Sequence, residues 1–111
     1  MNNELSKKKC VPCEDKTGQL NSEKTGELLE ELNHWKIIDD KVIEKTLLFK
    51  DFATALSFVN KVGEIAEKEN HHPDIALFSW NKVKFSLSTH SIDGLSENDF
   101  ILAAKIDELA K

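Results

Sequence analysis

The chain has no long apolar run, only 2 cysteines, and fewer basic than acidic residues. A membrane-spanning helix needs about 20 consecutive apolar residues, and no such stretch occurs. The first residues contain three consecutive lysines and no apolar segment, so a secretory signal is not expected either. A cytoplasmic location follows by default.

Basic residues are too few and too scattered to predict a nucleic-acid groove. The chain carries 15 Lys plus Arg against 20 Asp plus Glu, a formal net charge of -5 at pH 7. A groove that follows a phosphate backbone needs clustered positive charge. We therefore expect no direct nucleic-acid ligand.

The two cysteines, Cys10 and Cys13, are spaced C-x-x-C in a polar segment that also holds Pro12 and Gly18. Half a zinc site and a redox pair both have this spacing, but there is no second C-x-x-C and no strand-turn-helix pattern around it. We interpret them as reduced thiols in a flexible N-terminal extension, residues 1–20, followed by one folded domain, residues 21–111.

The first half of the domain reads as a helix followed by a hairpin. A helix is predicted to begin at Ser22, with its apolar side chains on one side, and to end before His34. Strands are predicted at 35–38 and 42–49, joined by the turn-forming residues 39–41.

The second half repeats this order. Asp51 is a good N-cap for a long helix that runs to Glu69, and Pro73 cannot continue that helix. Strands follow at 75–80 and 82–89, the second with clean apolar and polar alternation, and a last helix begins near Ser96. We predict an α+β fold, a four-stranded antiparallel sheet with helices on one face. Trp35 and Trp80 are interpreted as packing residues, with a place in the wall of the pocket as the alternative for either.

Histidines and carboxylates are concentrated in this second half. His71, His72 and His90 are accompanied by Glu67 and Asp99. Imidazole titrates near neutral pH, so a group of histidines beside carboxylates can both donate and accept protons. The pattern predicts acid–base chemistry.

The same residues lie in a longer pattern. It consists of Glu67-x-x-x-His71-His72-Pro73, then Trp80, then Ser88-Thr89-His90, then Gly94-Leu95-Ser96 with Asp99. This pattern resembles the pterin-4a-carbinolamine dehydratase family, and the likeness extends from Trp35 to the last helix.

The resemblance implies dehydration of 4a-hydroxytetrahydropterin to quinonoid dihydropterin, which recycles the tetrahydrobiopterin cofactor after aromatic amino-acid hydroxylation. It implies no external cofactor, and a homodimer or homotetramer. A metabolic link to phenylalanine hydroxylase is a further hypothesis.

The resemblance also assigns roles to residues of the site. His71 and His90 are the candidates for acid and base, in an order left open, and His72 for polarising the hydroxyl. Glu67 and Asp99 would orient imidazoles. The backbone that would bind the pterin belongs to Asn70 and to Ser88, Thr89, His90 and Ser91.

Three alternatives stay open. The histidines with Glu67 and Asp99 could supply a zinc or iron site, although adjacent side chains on an extended loop tend to point apart. Asp99 also fits an approximate capping box that begins at Ser96, and Glu67 also fits a surface helix residue paired with a lysine. Animal members of the family act as a dimerisation cofactor of a homeodomain transcription factor, so a non-catalytic protein-interaction module is the third alternative.

Overall fold

The structure, a computed structural model of the chain, describes residues 4–8, 22–89 and 92–110. The predictions for Cys10, Cys13, His90 and Ser91 therefore lie outside the described residues. The elements in chain order are α1 (Glu4–Lys7), α2 (Ser22–Leu29), β1 (Lys36–Ile38), β2 (Val42–Leu48), α3 (Phe52–Glu69), β3 (Asp74–Phe78), β4 (Lys82–Leu87) and α4 (Glu97–Ala110).

The four strands form one antiparallel sheet in the order β1-β2-β4-β3. On β4, Val83, Phe85 and Leu87 are fully buried while the alternate side chains are less so, and β2 pairs with β4 from Ile43↔Leu87 to Leu48↔Lys82. This alternation turns one face of the sheet toward the core and the other face outward. The predicted α+β fold is confirmed.

The core lies between the inner face of the sheet and helices α2, α3 and α4. Phe58 of α3 contacts Phe49 and Phe85, with ring centroids 5.1 Å and 5.8 Å apart. The buried apolar residues of this core cluster are Leu28, Leu32, Trp35, Ile43, Ala55, Phe58, Val62, Val83, Phe85, Leu87, Leu95, Phe100, Ile101, Leu102, Ala103 and Ile106. Every helix from α2 onward therefore contributes its apolar face to the same core.

Strand β3 ends earlier than expected, at Phe78 rather than at Trp80. Because Phe78 pairs with Lys82, the intervening residues must turn, and Ser79 and Trp80 do so with left-handed backbones, φ 47° and 59°. Trp80 is 61% exposed, so its interpretation as a packing residue was wrong. Trp35 is buried as expected.

Helix α3 begins at the predicted cap. The Asp51 carboxylate accepts the backbone N–H of Thr54 at 2.8 Å, which satisfies one of the donors that a helix N-terminus leaves free. The hydrogen bonds from the Thr54 side chain and backbone hold the pKa of the Asp51 carboxyl below its ordinary value. The cap therefore sets where α3 begins after the β1–β2 hairpin.

A single helical turn, α1, contacts α4 near the start of the chain. Lys8 Nζ lies 2.8 Å from Glu97 Oε2, and Lys105 Nζ donates to the carbonyl of Ser6 at 2.6 Å. The flexible character of residues 1–20 stays a prediction. Across the described ranges, no helix combines the length and the apolar character that crossing a membrane requires.

A buried carboxylate on α4, Asp107, joins the helix to the first hairpin. It accepts from the backbone N–H of Asn33 at 3.0 Å, from Trp35 Nε1 at 2.9 Å and from Lys45 Nζ at 2.7 Å. The Lys45 and Asp107 side chains are only 10% and 8% exposed. Removing one partner of such a pair leaves the other charge buried without compensation.

We predict that Asp107→Ala lowers the free energy of unfolding by about 3–5 kcal/mol, because the Lys45 ammonium and two N–H donors lose their acceptor. Urea denaturation measures the change. The matched control is Glu64→Ala, which removes an exposed carboxylate from α3 and should change stability by less than about 0.5 kcal/mol. Equal unfolding midpoints for Asp107→Ala and the control would contradict the prediction.

Candidate active site

The end of α3 sets the positions of the two adjacent histidines. Asn70 adopts a left-handed backbone (φ 55°, ψ 39°) and its N–H bonds the carbonyls of Ala66 and Glu67. The N–H of His71 also returns to the carbonyl of Ala66, at 3.2 Å. This is the hydrogen-bond pattern of a helix that ends on a left-handed residue. Asn70 thus ends the helix, and the sequence analysis had assigned that effect to Pro73 alone.

The His71 imidazole pairs with a carboxylate from the first turn of α4. Its Nε2 lies 2.6 Å from Oδ1 of Asp99. The side chain of His71 is 12% exposed and that of Asp99 is 0% exposed. The fold therefore brings together two residues that are 28 positions apart in the chain and places their contact away from water.

Asp99 has two further donors on its other oxygen. Oδ2 accepts from Thr89 Oγ1 at 2.8 Å and from the backbone N–H of Ser96 at 3.0 Å. The Ser96 contact is the capping interaction considered from the sequence. Capping and contact with His71 therefore coexist, because each uses a different carboxylate oxygen.

This geometry determines the tautomer of the neutral His71 imidazole. A carboxylate that accepts from Thr89 and Ser96 is an acceptor toward His71 as well, so Nε2 carries a proton and donates it to Asp99. In the neutral imidazole Nδ1 is then the acceptor. His71 can take a proton at Nδ1 and return it while Asp99 stabilises the charged ring.

The second pair, His72 with Glu67, is built differently. His72 Nε2 lies 2.6 Å from Glu67 Oε2, but these side chains are 54% and 79% exposed. Water screens such a pair, so it orients the ring more than it stabilises the fold. Glu67 thus contacts the His72 imidazole, and its role in orienting that ring for catalysis stays a prediction.

Thr89 was predicted to bind substrate through its backbone. In the structure its backbone N–H and carbonyl form hydrogen bonds within the loop that follows β4. Its N–H donates to the carbonyl of Gly94 at 2.8 Å, and its carbonyl accepts from the N–H groups of Ile92 and Gly94. Ser88 lines a small cavity of about 200 Å³ beside Thr89, and a 3.2 Å ion pair between Lys41 and Asp93 lies at the same cavity. Ser88 is therefore placed beside a space that a small molecule could enter.

Ser96 also belongs to this cluster of side chains, although the sequence analysis did not list it among the site residues. Its hydroxyl lies 2.8 Å from Thr89 Oγ1 and its N–H bonds Asp99, and its side chain is buried. The Ser-x-x-Asp spacing pointed to the backbone contact but gave no sign of the contact with Thr89, which lies seven positions earlier, across the loop before α4.

Among the described residues, no group of three or more His, Cys, Asp or Glu side chains is arranged to hold a metal ion. The Nε2 atoms of His71 and His72 each face a separate carboxylate. The metal hypothesis is left to experiment, because His90 lies outside these residues.

We predict that Asp99→Asn reverses the tautomer of His71. The Ser96 N–H needs an acceptor, so the new amide oxygen should take the Oδ2 position and the amide NH2 should face His71. Nε2 would then have to accept, which moves the ring proton to Nδ1. Nitrogen-15 NMR of the imidazole distinguishes the two tautomers. Glu67→Gln is the control and should leave His71 unchanged, whereas retention of Nε2–H in Asp99→Asn would contradict the prediction.

Comparison with known proteins identifies the family. The sequence model of the family described as Pterin 4 alpha carbinolamine dehydratase matches residues 18–109. A dehydratase homologue from Alkaliphilus metalliredigens is 50% identical over 107 residues, which are 96% of this chain and 96% of the homologue. The mitochondrial pterin-4-alpha-carbinolamine dehydratase 2 of Arabidopsis thaliana is 44% identical over 110 residues, covering 96% of this chain and 59% of that protein.

Two solved structures have a fold similar to that of this chain. A transcriptional coactivator/pterin dehydratase from Brucella melitensis superposes with a TM-score of 0.79 at 34% identity, over 84% of this chain and 99% of that one. A pterin dehydratase-like RuBisCO assembly factor shares the fold, with a TM-score of 0.60 at 22% identity, over 70% of this chain and 90% of that one. The resemblance seen in the sequence is confirmed, and the chain belongs to the pterin-4-alpha-carbinolamine dehydratase family of lyases.

Proposed function

We propose that the protein dehydrates 4a-hydroxytetrahydropterin to quinonoid dihydropterin by histidine acid–base catalysis and so recycles the cofactor of aromatic amino-acid hydroxylases. The observation that carries the proposal is the buried contact between His71 and Asp99. A buried carboxylate that orients an imidazole and stabilises its charged form is a recurrent device of proton-transfer catalysis.

The reaction is a proton-coupled elimination with no change of oxidation state. The bond between carbon 4a and the hydroxyl breaks, and the hydroxyl leaves as water after it accepts a proton. The neighbouring ring nitrogen loses its proton, and its electron pair forms the new double bond to carbon 4a. One general acid and one general base therefore suffice, without an external cofactor.

The residues of the site divide this work, and the environments of His71 and His72 support their parts of it. His71 exchanges one of the two protons at Nδ1, with Asp99 holding Nε2, and His90 exchanges the other. His72, which is exposed and oriented by Glu67, polarises the departing hydroxyl. The assignment of His90 rests on its place in the family pattern.

A role as an interaction module is the competing function. The Brucella relative is named a transcriptional coactivator as well as a pterin dehydratase. A buried imidazole–carboxylate contact adds nothing to a docking surface, since neither group is exposed enough to touch a partner. This supports the enzyme, and retention of function in cells that carry His71→Ala would instead favour the module.

We predict that the purified protein accelerates carbinolamine dehydration in the presence of chelator, and that His71→Ala lowers the rate by about 10²-fold or more. His90→Ala should have a similar effect, and Glu67→Ala a smaller one, because its pair is exposed. Stopped-flow absorbance on synthetic carbinolamine measures the rates.

The matched control is His34→Ala, which removes an exposed histidine outside the family pattern. It should retain the wild-type rate. Loss of activity on chelation with recovery on adding zinc would replace the acid–base mechanism by a metal mechanism, and full activity in His71→Ala would remove this residue from the mechanism.

A symmetric homodimer or homotetramer is part of the proposal. Strands β1 and β3 are the edges of the sheet, and edge strands carry backbone groups that other chains can pair with. On the outer face of the sheet Ile38, Leu48 and Phe78 are 39%, 69% and 41% exposed. On α3, Phe52 and Leu56 are 51% and 44% exposed. These surfaces suit association through the sheet and through α3.

We predict that light scattering gives a multiple of the 12.6 kDa chain mass. If the sheets join at β3, Phe78→Glu should shift the assembly toward smaller species, because it places a charge beside that edge, while Leu56→Glu should leave the sheet contact intact. If Leu56→Glu gives smaller species and Phe78→Glu does not, the main contact lies on α3. A wild-type monomer at tens of micromolar would refute the assembly.

The expected cytoplasmic location and the link to phenylalanine hydroxylase stay predictions. The Arabidopsis relative is named as a mitochondrial protein.

A further inference from the structure

Two buried hydroxyls, those of Thr89 and Ser96, lie behind the carboxylate that holds His71. Their residues are 6% and 1% exposed, and Asp99 itself is 0% exposed. Thr89 Oγ1 lies 2.8 Å from Asp99 Oδ2 and 2.8 Å from Ser96 Oγ. Among the described residues, neither hydroxyl contacts an imidazole, and the path from both to His71 runs through Asp99.

Counting donors gives the direction of these hydrogen bonds. A threonine hydroxyl has one proton, and that of Thr89 is donated to Asp99. The contact between the hydroxyls therefore requires Ser96 Oγ to donate to Thr89 Oγ1. The chain of donation runs from Ser96 to Thr89 to Asp99, and His71 donates to the same carboxylate from the other side.

We infer that the hydroxyls of Thr89 and Ser96 are positioning groups for proton transfer, because they hold the Asp99 carboxylate in one orientation and thereby fix the ring and tautomer of His71. This inference rests on the proposed function. Oδ2 receives two donors from different parts of the chain, the Thr89 hydroxyl and the Ser96 N–H, so the carboxylate cannot rotate without losing both. Oδ1 is kept toward Nε2 of His71.

Thr89 is well placed for this role because its backbone is held independently. Its N–H and carbonyl bond Gly94 at 2.8 Å and 3.4 Å, which closes the loop between β4 and α4 at its base. The side chain therefore starts from a fixed Cα, so that its hydroxyl is presented to Asp99 with little freedom. Removing the hydroxyl while keeping the side-chain shape should leave this loop closed.

The test compares Thr89→Val with Thr89→Ser. Thr89→Val keeps the shape and removes the hydroxyl, so kcat should fall by about 10-fold to 10²-fold while KM changes by less than about twofold, because the imidazole and not the pterin contact is misplaced. Thr89→Ser restores the donor and should recover most of kcat. Ser96→Ala should cause a smaller loss, because the bond from Thr89 to Asp99 survives. Thr46→Val, an exposed isosteric change on β2, is the matched control.

A double-mutant cycle tests whether Thr89 acts through Asp99. In the Asp99→Asn background, Thr89→Val should lower kcat by less than about a further twofold, because the hydrogen bond between residue 99 and His71 is already altered. Independent, multiplicative losses would overturn the inference. So would a loss in Thr89→Val that Thr89→Ser does not recover, because packing of the methyl group would then be the cause.

Imidazole NMR separates failure of this inference from failure of the proposed function. A wild-type protein without dehydratase activity would refute the function, yet the nitrogen shifts of His71 would still report its tautomer. In Thr89→Val we expect the nitrogen shifts of His71 to indicate a mixture of tautomers. In Thr89→Ser we expect them to indicate the Nε2–H tautomer, as in the wild type. An unchanged signal together with an unchanged kcat in Thr89→Val would refute the positioning role, and Ser96→Ala provides the same readout if Thr89→Val does not fold.

Discussion

The site depends on one constraint, that the fully buried carboxylate of Asp99 must be surrounded by donors. A charged group without hydrogen bonds is costly away from water, so Asp99 is tolerated only where several donors converge on it. These donors come from the end of α3, from the end of β4 and from the loop before α4. Satisfying one carboxylate therefore brings three segments of the chain together and presents His71 in one orientation.

The two histidine–carboxylate pairs have the same contact distance but different surroundings, and this difference separates their roles. The pair of His71 and Asp99 is buried, so the field of the carboxylate acts on the imidazole with little screening. The pair of His72 and Glu67 lies in water, where the same contact is much weaker. Adjacent residues of the sequence can thus differ in chemistry, because the end of α3 sends one ring inward and leaves the other outside.

Helix α4 is held in place by polar anchors as well as by its apolar face. Asp99 ties its first turn to the site, and Asp107, about two turns later, ties it to the first hairpin through Asn33, Trp35 and Lys45. Two buried carboxylates on one helix restrict its rotation and sliding, which apolar packing alone does less strictly. The position of Asp99 within the site is therefore supported from both ends of α4.

The sequence by itself determined the order of helices and strands from α2 onward, the cap at Asp51 and the family pattern, because periodicity, capping and turn residues act over a few positions. It did not predict the helical turn α1. It misjudged the end of β3, where cross-strand register and not propensity places Ser79 and Trp80 in a turn. Only the tertiary structure decided that Asp99 contacts His71 and that Thr89 and Ser96 stand behind it. The contact of Asp99 with His71 joins residues 28 positions apart, and the contacts of Thr89 with Ser96 and Asp99 span 7 and 10 positions across a loop. The direction of each hydrogen bond depends on which donors the whole fold brings to the same buried oxygen.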